Sequence, residues 1–515
     1  MPSRAAKATI SGRLTWQTPV MAQRRSFSTR PLQASSAQAA QTPTNDAEAS
    51  LMTGSPITST TGTTPASTAS TESGVLYANI TDTPPRIVGS QGMYLYTEDG
   101  REILDATGGA AVVSIGHNHP RVKSAIMRQL DQVAYSWAPL FTTHAAEKLA
   151  DVLVESTGGH MSKVFVVSSG TEAVEAALKI ARQYFLELPE KQPKRTRFIA
   201  RRQSYHGNTL GSLSVGGHVA RKQIYNPILS TNTSHVSPCY AYRGKKDAET
   251  DEEYVSRLAQ EIDDEFQAVG PDTVCAFIAE TVAGTTLGSV PATPGYFQAM
   301  KEVCDRHGAL FILDEVMSGM GRTGTLHAWE QEGVIPDLQT VAKGLGAGYA
   351  SVGALLINKR VVESLRQGTG IFSHSQTYQA HPVACAAALE VQQVIRDENL
   401  LQNAREMGAY LEKTLKERIG YHKNVGDIRG RGLFWGVEFV SDKPTKEPFP
   451  AERKIGPLLS KTAVAQYSLS LIPMTGMADG FSGDGVQLAP PYNVTRAQID
   501  TLVDRLDKVI RQVLD

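Results

Sequence analysis

Apolar residues follow two rhythms along most of this chain. Short, nearly continuous apolar runs recur at 163–167 (KVFVV), 197–201 (RFIAR), 274–280 (VCAFIAE), 309–315 (ALFILDE) and 338–343 (LQTVAK). Each ends at polar or glycine-rich residues, the pattern of strands buried on both faces. Between them the apolar period lengthens. In TEAVEAALKIARQYF (171–185), Val174, Leu178, Ala181 and Phe185 repeat at helical spacing, and HPVACAAALEVQQVI (381–395) reads as another helix. Strands alternating with helices predict an α/β fold whose mainly parallel sheet is flanked by helices. Beyond residue 380, helices mix with short strands such as GLFWGVEFV, which predicts a smaller α+β C-terminal domain. The expected organisation is a large domain over 136–380, a small domain over 381–515, and an N-terminal segment over 74–135 that packs with the small domain.

The first 73 residues break this rhythm. Arg4, Lys7, Arg13, Arg24, Arg25 and Arg30 all precede the first acid, Asp46, and no long apolar run accompanies them. Residues 1–31 therefore read as a mitochondrial presequence, which implies the matrix; the alternative is a basic tail on a cytoplasmic protein. Residues 32–73 are rich in Ser, Thr and Ala (GSPITSTTGTTPASTAS) and lack the apolar surface needed to order themselves, so a disordered linker is expected.

Composition narrows the function classes. With 515 residues, 41% of them hydrophobic, the chain can bury a large core. A net charge of −1 gives no basis for binding nucleic acid or a charged membrane. No apolar run approaches the roughly 18 residues of a membrane-spanning helix. Cys239, Cys275, Cys304 and Cys385 are scattered without a C-x-x-C pair, which argues against a disulfide framework or a zinc site.

Candidate chemistry lies at the ends of the predicted strands, where open parallel sheets bind ligands. Ser168, Ser169, Gly170 and Thr171 join a strand to a helix, a place that suits a phosphate or, equally, ordinary helix capping. Tyr205 and His206 follow another strand; the tyrosine either stacks on a flat ring or lies half-buried under a turn. Asp314 closes an apolar run. A carboxylate about 4 Å from a ring N–H⁺ gains roughly 4 kcal/mol at an effective dielectric near 20. That is up to about three pKa units, less the cost of desolvating the acid. Glu315, beside it, is expected to cap or pair locally. Lys343 ends a strand and enters the glycine-rich GLGAG, where partial desolvation favours a Schiff base; a surface lysine is the alternative. A phosphate nest, a stacking aromatic, an acid for a pyridinium and an imine-forming lysine together match the needs of pyridoxal phosphate (PLP).

The block FILDEVMSGMGRTGTLHAWEQEGVIPDLQTVAKGLGAG (311–348) resembles the signature of the class III (omega, subgroup II) aminotransferases, PLP-dependent enzymes of fold type I. SSGTEAVEAALKIAR, YHGNT, HSQTYQAHPVACAAALE, GRGLFWGVEF and LAPPYNVT extend the resemblance from about residue 75 to the C-terminus. It implies that Lys343 forms the imine and shuttles the proton, and that Asp314 holds the ring nitrogen. Val316 and Tyr205 would flank the ring, with His206 beside the tyrosine. Ser169, Gly170 and Thr171 would hold the phosphate, and Glu280 would lie near the cofactor. Thr377 would reach the phosphate of a neighbouring subunit, which implies a homodimer with shared active sites. Trp137 resembles an aromatic wall of the substrate pocket; the alternative is a core tryptophan.

The sequence departs from the family in one place. Many relatives carry an arginine for a substrate carboxylate shortly before APP, but here the stretch reads GMADGFSGDGVQLAPPY, with no arginine between Arg453 and Arg496. Arg431, or another arginine, is the candidate substitute. Otherwise the substrate is an amine, or an amino acid whose carboxylate lies far from the reacting nitrogen. The resemblance thus implies amino-group transfer from an amine or ω-amino acid to an oxo acid by a ping-pong mechanism. The same scaffold also supports decarboxylating transaminases and aminomutases. A non-catalytic binding protein is the distant alternative, against which Lys343 and Asp314 stand.

Overall fold

Seven strands build the platform for the site. Met161–Val167, Gly353–Asn358, Leu338–Val341, Leu310–Asp314, Val274–Glu280, Arg197–Arg201 and Thr233–Val236 lie side by side in that order. All run parallel except Gly353–Asn358, which is antiparallel to both of its neighbours. This computed structural model describes residues 73–515, and residues 79–515 pack as one unit. The presequence expected over 1–31, and all but the last residue of the linker expected over 32–73, lie outside the described residues.

The central strands Val274–Glu280 and Leu310–Asp314 are buried at every position, which explains their unbroken apolar character. Alternation divides their side chains between two cores. Ile278 and Ile312 face the helix Gly170–Glu187, which packs through Val174, Leu178, Ala181 and Phe185. Phe277, Phe311 and Leu313 face the helices Asp251–Val269 and Tyr296–Arg306, which pack through Leu258, Ile262, Phe266, Phe297 and Met300. The period of two then places Asp314 on the side of Ile312, and Glu315 on the side of Leu313.

A second, antiparallel sheet orders Val425–Arg431, Phe434–Phe439, Asp484–Leu488 and Ile472–Thr475. The helices Leu400–Ile419, Ile455–Tyr467 and Arg496–Leu514 share its core, and so do Met93, Leu104 and Val122 from the N-terminal segment. The two ends of the folded unit even share a sheet, because Leu104 pairs in parallel with Leu469. That ladder is two residues long on the Leu469–Ser470 side, so packing outweighs it. Each fully buried Leu or Val in this core is worth about 1.5–3 kcal/mol. Among the described residues no helix is long and apolar enough to cross a membrane. All four cysteines are buried and unpaired.

Candidate active site at the strand ends

The strand ends and the loops that leave them enclose a cavity of about 740 Å³. Asp314 and Glu280 stand side by side at its floor, paired in register across adjacent parallel strands. Asp314 is only 4% exposed, and three neighbours fix its carboxylate. His206 Nδ1 lies 2.8 Å from Oδ2, while the Val316 amide donates to Oδ1 at 3.0 Å and the Thr340 hydroxyl donates to it at 3.2 Å. The other nitrogen of His206, Nε2, is buried and has no partner among the described residues. Glu280 accepts from the amides of Tyr205 (3.3 Å) and Gly284 (3.0 Å), so it ties two of the loops that wall the cavity. Burial pushes its carboxyl up, against the opposing pull of His206 and Arg201.

Lys343 begins the short turn Lys343–Leu345 directly after the strand Leu338–Val341, and its side chain lines the same cavity. Burial lowers its amine to about 8, although Asp314 and Glu280 favour the charged form. Its backbone φ is +43°, a left-handed conformation that costs a non-glycine residue about 1–2 kcal/mol. Opposite, the helix Gly170–Glu187 opens onto the cavity with Ser169 as its N-cap. Its first amides have no intrahelical acceptor, and the helix dipole favours an anion there. The backbone at Gly170 comes so close to Val316 that a Cβ would stand 2.8 Å from one of its methyls. The Thr171 hydroxyl lies 2.6 Å from that of Ser212 and accepts from the Asn208 amide at 3.2 Å, which locks the helix start to the Tyr205 loop. Anion donors, a half-buried aromatic ring, a fixed carboxylate and a depressed amine therefore face one space, and they fit PLP.

Residues 77–510 match the family model for class III aminotransferases. The chain belongs to the class III aminotransferases. An aminotransferase of Gibberella zeae is 50% identical over 436 residues, 84% of this chain and 85% of that protein. An uncharacterised aminotransferase of Schizosaccharomyces pombe is 49% identical over 454 residues, 88% of this chain and 98% of that one. Among solved structures, an amine transaminase from an uncultivated Pseudomonas species in its PLP-bound form superposes with a TM-score of 0.79. It is 32% identical and is covered to 97%, against 85% of this chain. This aminotransferase is accordingly a PLP-dependent enzyme of fold type I that transfers amino groups.

Within the aminotransferase chain, Ser169, Gly170, Thr171, Tyr205, His206, Glu280, Asp314, Val316 and Lys343 all line the cavity. Three sequence candidates do not. Arg431, expected as a substitute carboxylate binder, pairs at 2.6 Å with the buried Glu332 and is thereby committed elsewhere. Trp137 is 50% exposed, so within one chain it is neither a cavity wall nor a core residue. Thr377 is exposed, and its carbonyl accepts from the Tyr135 hydroxyl at 2.9 Å. Glu315 points away from the cavity, as alternation requires. It accepts from Thr281, the amides of Ala328 and Trp329, and Gln339, all at 2.7–2.9 Å.

Sequence reasoning missed His218, Arg221 and the stretch Ile472–Thr475, which also line the cavity of the aminotransferase. Arg221 sits on a four-residue helix, Val219–Lys222, too short for any periodic signal. Burial, with help from Arg221, holds the His218 ring down to about 4.

Proposed function

We propose that this aminotransferase moves the amino group of an amine or ω-amino acid to an oxo acid in two half-reactions that share one cavity, the ping-pong pattern. When bound, PLP supplies the electron sink for charge that develops at the substrate carbon. The chain supplies the rest. An amine held near 8 leaves Lys343 partly neutral at physiological pH, able to act as a nucleophile and then to carry a proton between substrate and cofactor carbons. Asp314 would hold the ring nitrogen, and its three contacts orient its carboxylate before any ligand arrives. Tyr205 and Val316 would bracket the ring, and the amides of Ser169, Gly170 and Thr171 would take the phosphate.

The observation that carries this reading is the joint placement of Asp314 and Lys343 on one cavity, with burial depressing the lysine. The solved amine transaminase and the missing arginine before APP support amine donors. Two further elements belong to the same proposal. Thr377 completes the phosphate site of a second copy, with Trp137 near the substrate. The exposed cluster Tyr135, Trp137, Leu140, Phe141 and Tyr378 around it supports burial against that copy. Residues 1–31 direct the protein to the mitochondrial matrix.

The test is spectroscopic. Purified protein incubated with PLP turns yellow, a donor amine bleaches the colour, and an oxo acid restores it. Borohydride then fixes the cofactor to the peptide that contains Lys343. Protein that stays colourless, or a Lys343→Ala variant with full turnover, refutes the reading. Release of carbon dioxide, or turnover without a co-substrate, points instead to a decarboxylating transaminase or an aminomutase.

A further inference from the structure

The half-reaction that consumes the oxo acid needs a place for its carboxylate, and the expected arginine before APP is absent. The floor of the cavity is unsuited to an anion, since Asp314 and Glu280 occupy it. Among the described residues that line the cavity, Arg221 is the one guanidinium, and Lys343 the one ammonium. The Arg221 guanidinium carbon lies 5.0 Å over the Tyr205 ring. Stacking of this kind holds the planar fork while leaving its in-plane N–H donors free. Among the described residues Arg221 makes no ion pair, and its backbone amide alone is engaged, by His218 Nδ1 at 3.5 Å.

A second, independent contact links this arginine to the departure in the sequence. The loop 476–483, which belongs to the arginine-free stretch, packs directly on the helix Val219–Lys222. A Cβ at Gly480 would stand 2.6 Å from Val219, so nothing larger than glycine fits between loop and helix. Gln203 clamps the same loop, donating through Nε2 to the carbonyls of Gly476 at 2.9 Å and Met477 at 3.2 Å. The wall Ile472–Thr475 runs into this loop. The cation thus reaches the cavity from the element against which the arginine-free loop is folded.

We propose that Arg221 receives the carboxylate of the oxo-acid substrate and so sets the enzyme's preference for carboxylate-bearing acceptors. The inference rests on the amino-transfer reading above. A bidentate fork matches a carboxylate in geometry as well as charge. A donor amine without a carboxylate leaves Arg221 stacked on Tyr205, so both kinds of substrate use one cavity in turn.

The holoenzyme, Arg221→Gln and Arg221→Lys are compared with one donor amine and two acceptors, pyruvate and benzaldehyde, which lacks a carboxylate. In Arg221→Gln the ratio of kcat/KM for pyruvate to that for benzaldehyde falls about 10- to 100-fold, carried by KM for pyruvate, and Arg221→Lys recovers part of it. Succinate, which cannot react, is titrated against the cofactor absorbance; its dissociation constant rises about 10-fold or more in Arg221→Gln. A ratio and a succinate affinity within about twofold of wild type overturn the proposal. So does weaker retention of PLP with an unchanged ratio, because Arg221 would then serve the phosphate. If the wild-type holoenzyme transfers no amine to any acceptor, the amino-transfer reading fails instead. The succinate titration still decides whether Arg221 binds a carboxylate.

Discussion

Gly170→Ala separates local preference from tertiary fit. Gly170 opens the helix Gly170–Glu187 and lines the cofactor cavity. Judged by the helix alone, alanine is better there by about 0.4–1 kcal/mol, because it restricts the unfolded chain. The packing gives the opposite sign. The new Cβ would stand 2.8 and 2.9 Å from the two methyls of Val316 and 3.4 Å from the Ala342 Cβ. Carbon atoms reach favourable contact at about 3.5 Å, so Val316 or the helix start must yield by roughly 0.6–0.7 Å. Overpacking of that size costs about 1–3 kcal/mol, which exceeds the helix preference and leaves a net loss of about 1 kcal/mol. Val316 and the start of the helix both line the cavity that would hold PLP, so PLP affinity falls about 10-fold, or 1.4 kcal/mol. Urea unfolding of the cofactor-free protein measures the first quantity, and absorbance titration with PLP measures the second. Val316→Ala removes the methyls in question. The double variant therefore recovers about 1 kcal/mol relative to the sum of the single effects. A Gly170→Ala protein that is more stable than wild type and binds PLP as tightly refutes the reasoning, as does strict additivity with Val316→Ala.

Three other outcomes follow from the site and its surroundings. Capture of PLP by the cofactor-free protein tracks the neutral form of Lys343, and burial places that amine at about 8. About a quarter is neutral at pH 7.5, against roughly one part in a thousand for a lysine at about 10.5. Stopped-flow capture rates should bend near pH 8, and an inflection near pH 10.5 contradicts the placement of Lys343. Asp314→Asn keeps the size of the side chain but loses its charge, so single-turnover bleaching by a donor amine slows about 10²–10³-fold, consistent with the roughly 4 kcal/mol of a charge pair at 4 Å. An Asn variant bleaching at the wild-type rate would remove Asp314 from the mechanism. Glu315 is an acid whose folded value, about 7, lies above its ordinary 4.5 because of burial. Its folded form holds the proton more tightly, so its contribution is fully present below about pH 4.5 and is lost as pH rises towards 7. The loss is up to about 3 kcal/mol. Denaturation at pH 5 and pH 7.5 shows this slope in wild type and a flatter one in Glu315→Gln; equal slopes in both refute it.

Much of this architecture is readable from the sequence, for a physical reason. The runs expected at 197–201 and 274–280 coincide with Arg197–Arg201 and Val274–Glu280, because strands buried on both faces must be apolar throughout. The helix expected over 171–185 is Gly170–Glu187, fixed by its cap and its apolar stripe. The strand Thr233–Val236 escaped notice because it forms the sheet edge, where Thr, Ser and His suffice. Gly353–Asn358 escaped because it follows directly on the glycine-rich loop after Lys343, and its reversed direction is set by pairing with strands distant in the chain. Asp314 and Lys343 were legible since each terminates an apolar run. Arg221 was not, since nothing in VARK distinguishes a solvated turn from the rim of a cavity. Arg431 misled because its partner, Glu332, lies 99 residues away and becomes a neighbour only on folding.

The sheet that joins Glu102–Asp105 to Leu469–Ser470 bears on how the protein is made. Asp105 and its partner Ser470 are 365 residues apart. At about 5–20 residues per second, a ribosome needs roughly 20–70 s to travel from one to the other. During that interval the core that Met93, Leu104 and Val122 share is made piecemeal, and all seven strands of the large sheet are complete by Asn358, well before Leu469. The pocket borrows Ala110 and Val112 from the early segment and Ile472–Thr475 from the late one. PLP can therefore be enclosed only after the chain has been made as far as Thr475, long after the strands that carry Asp314 and Glu280.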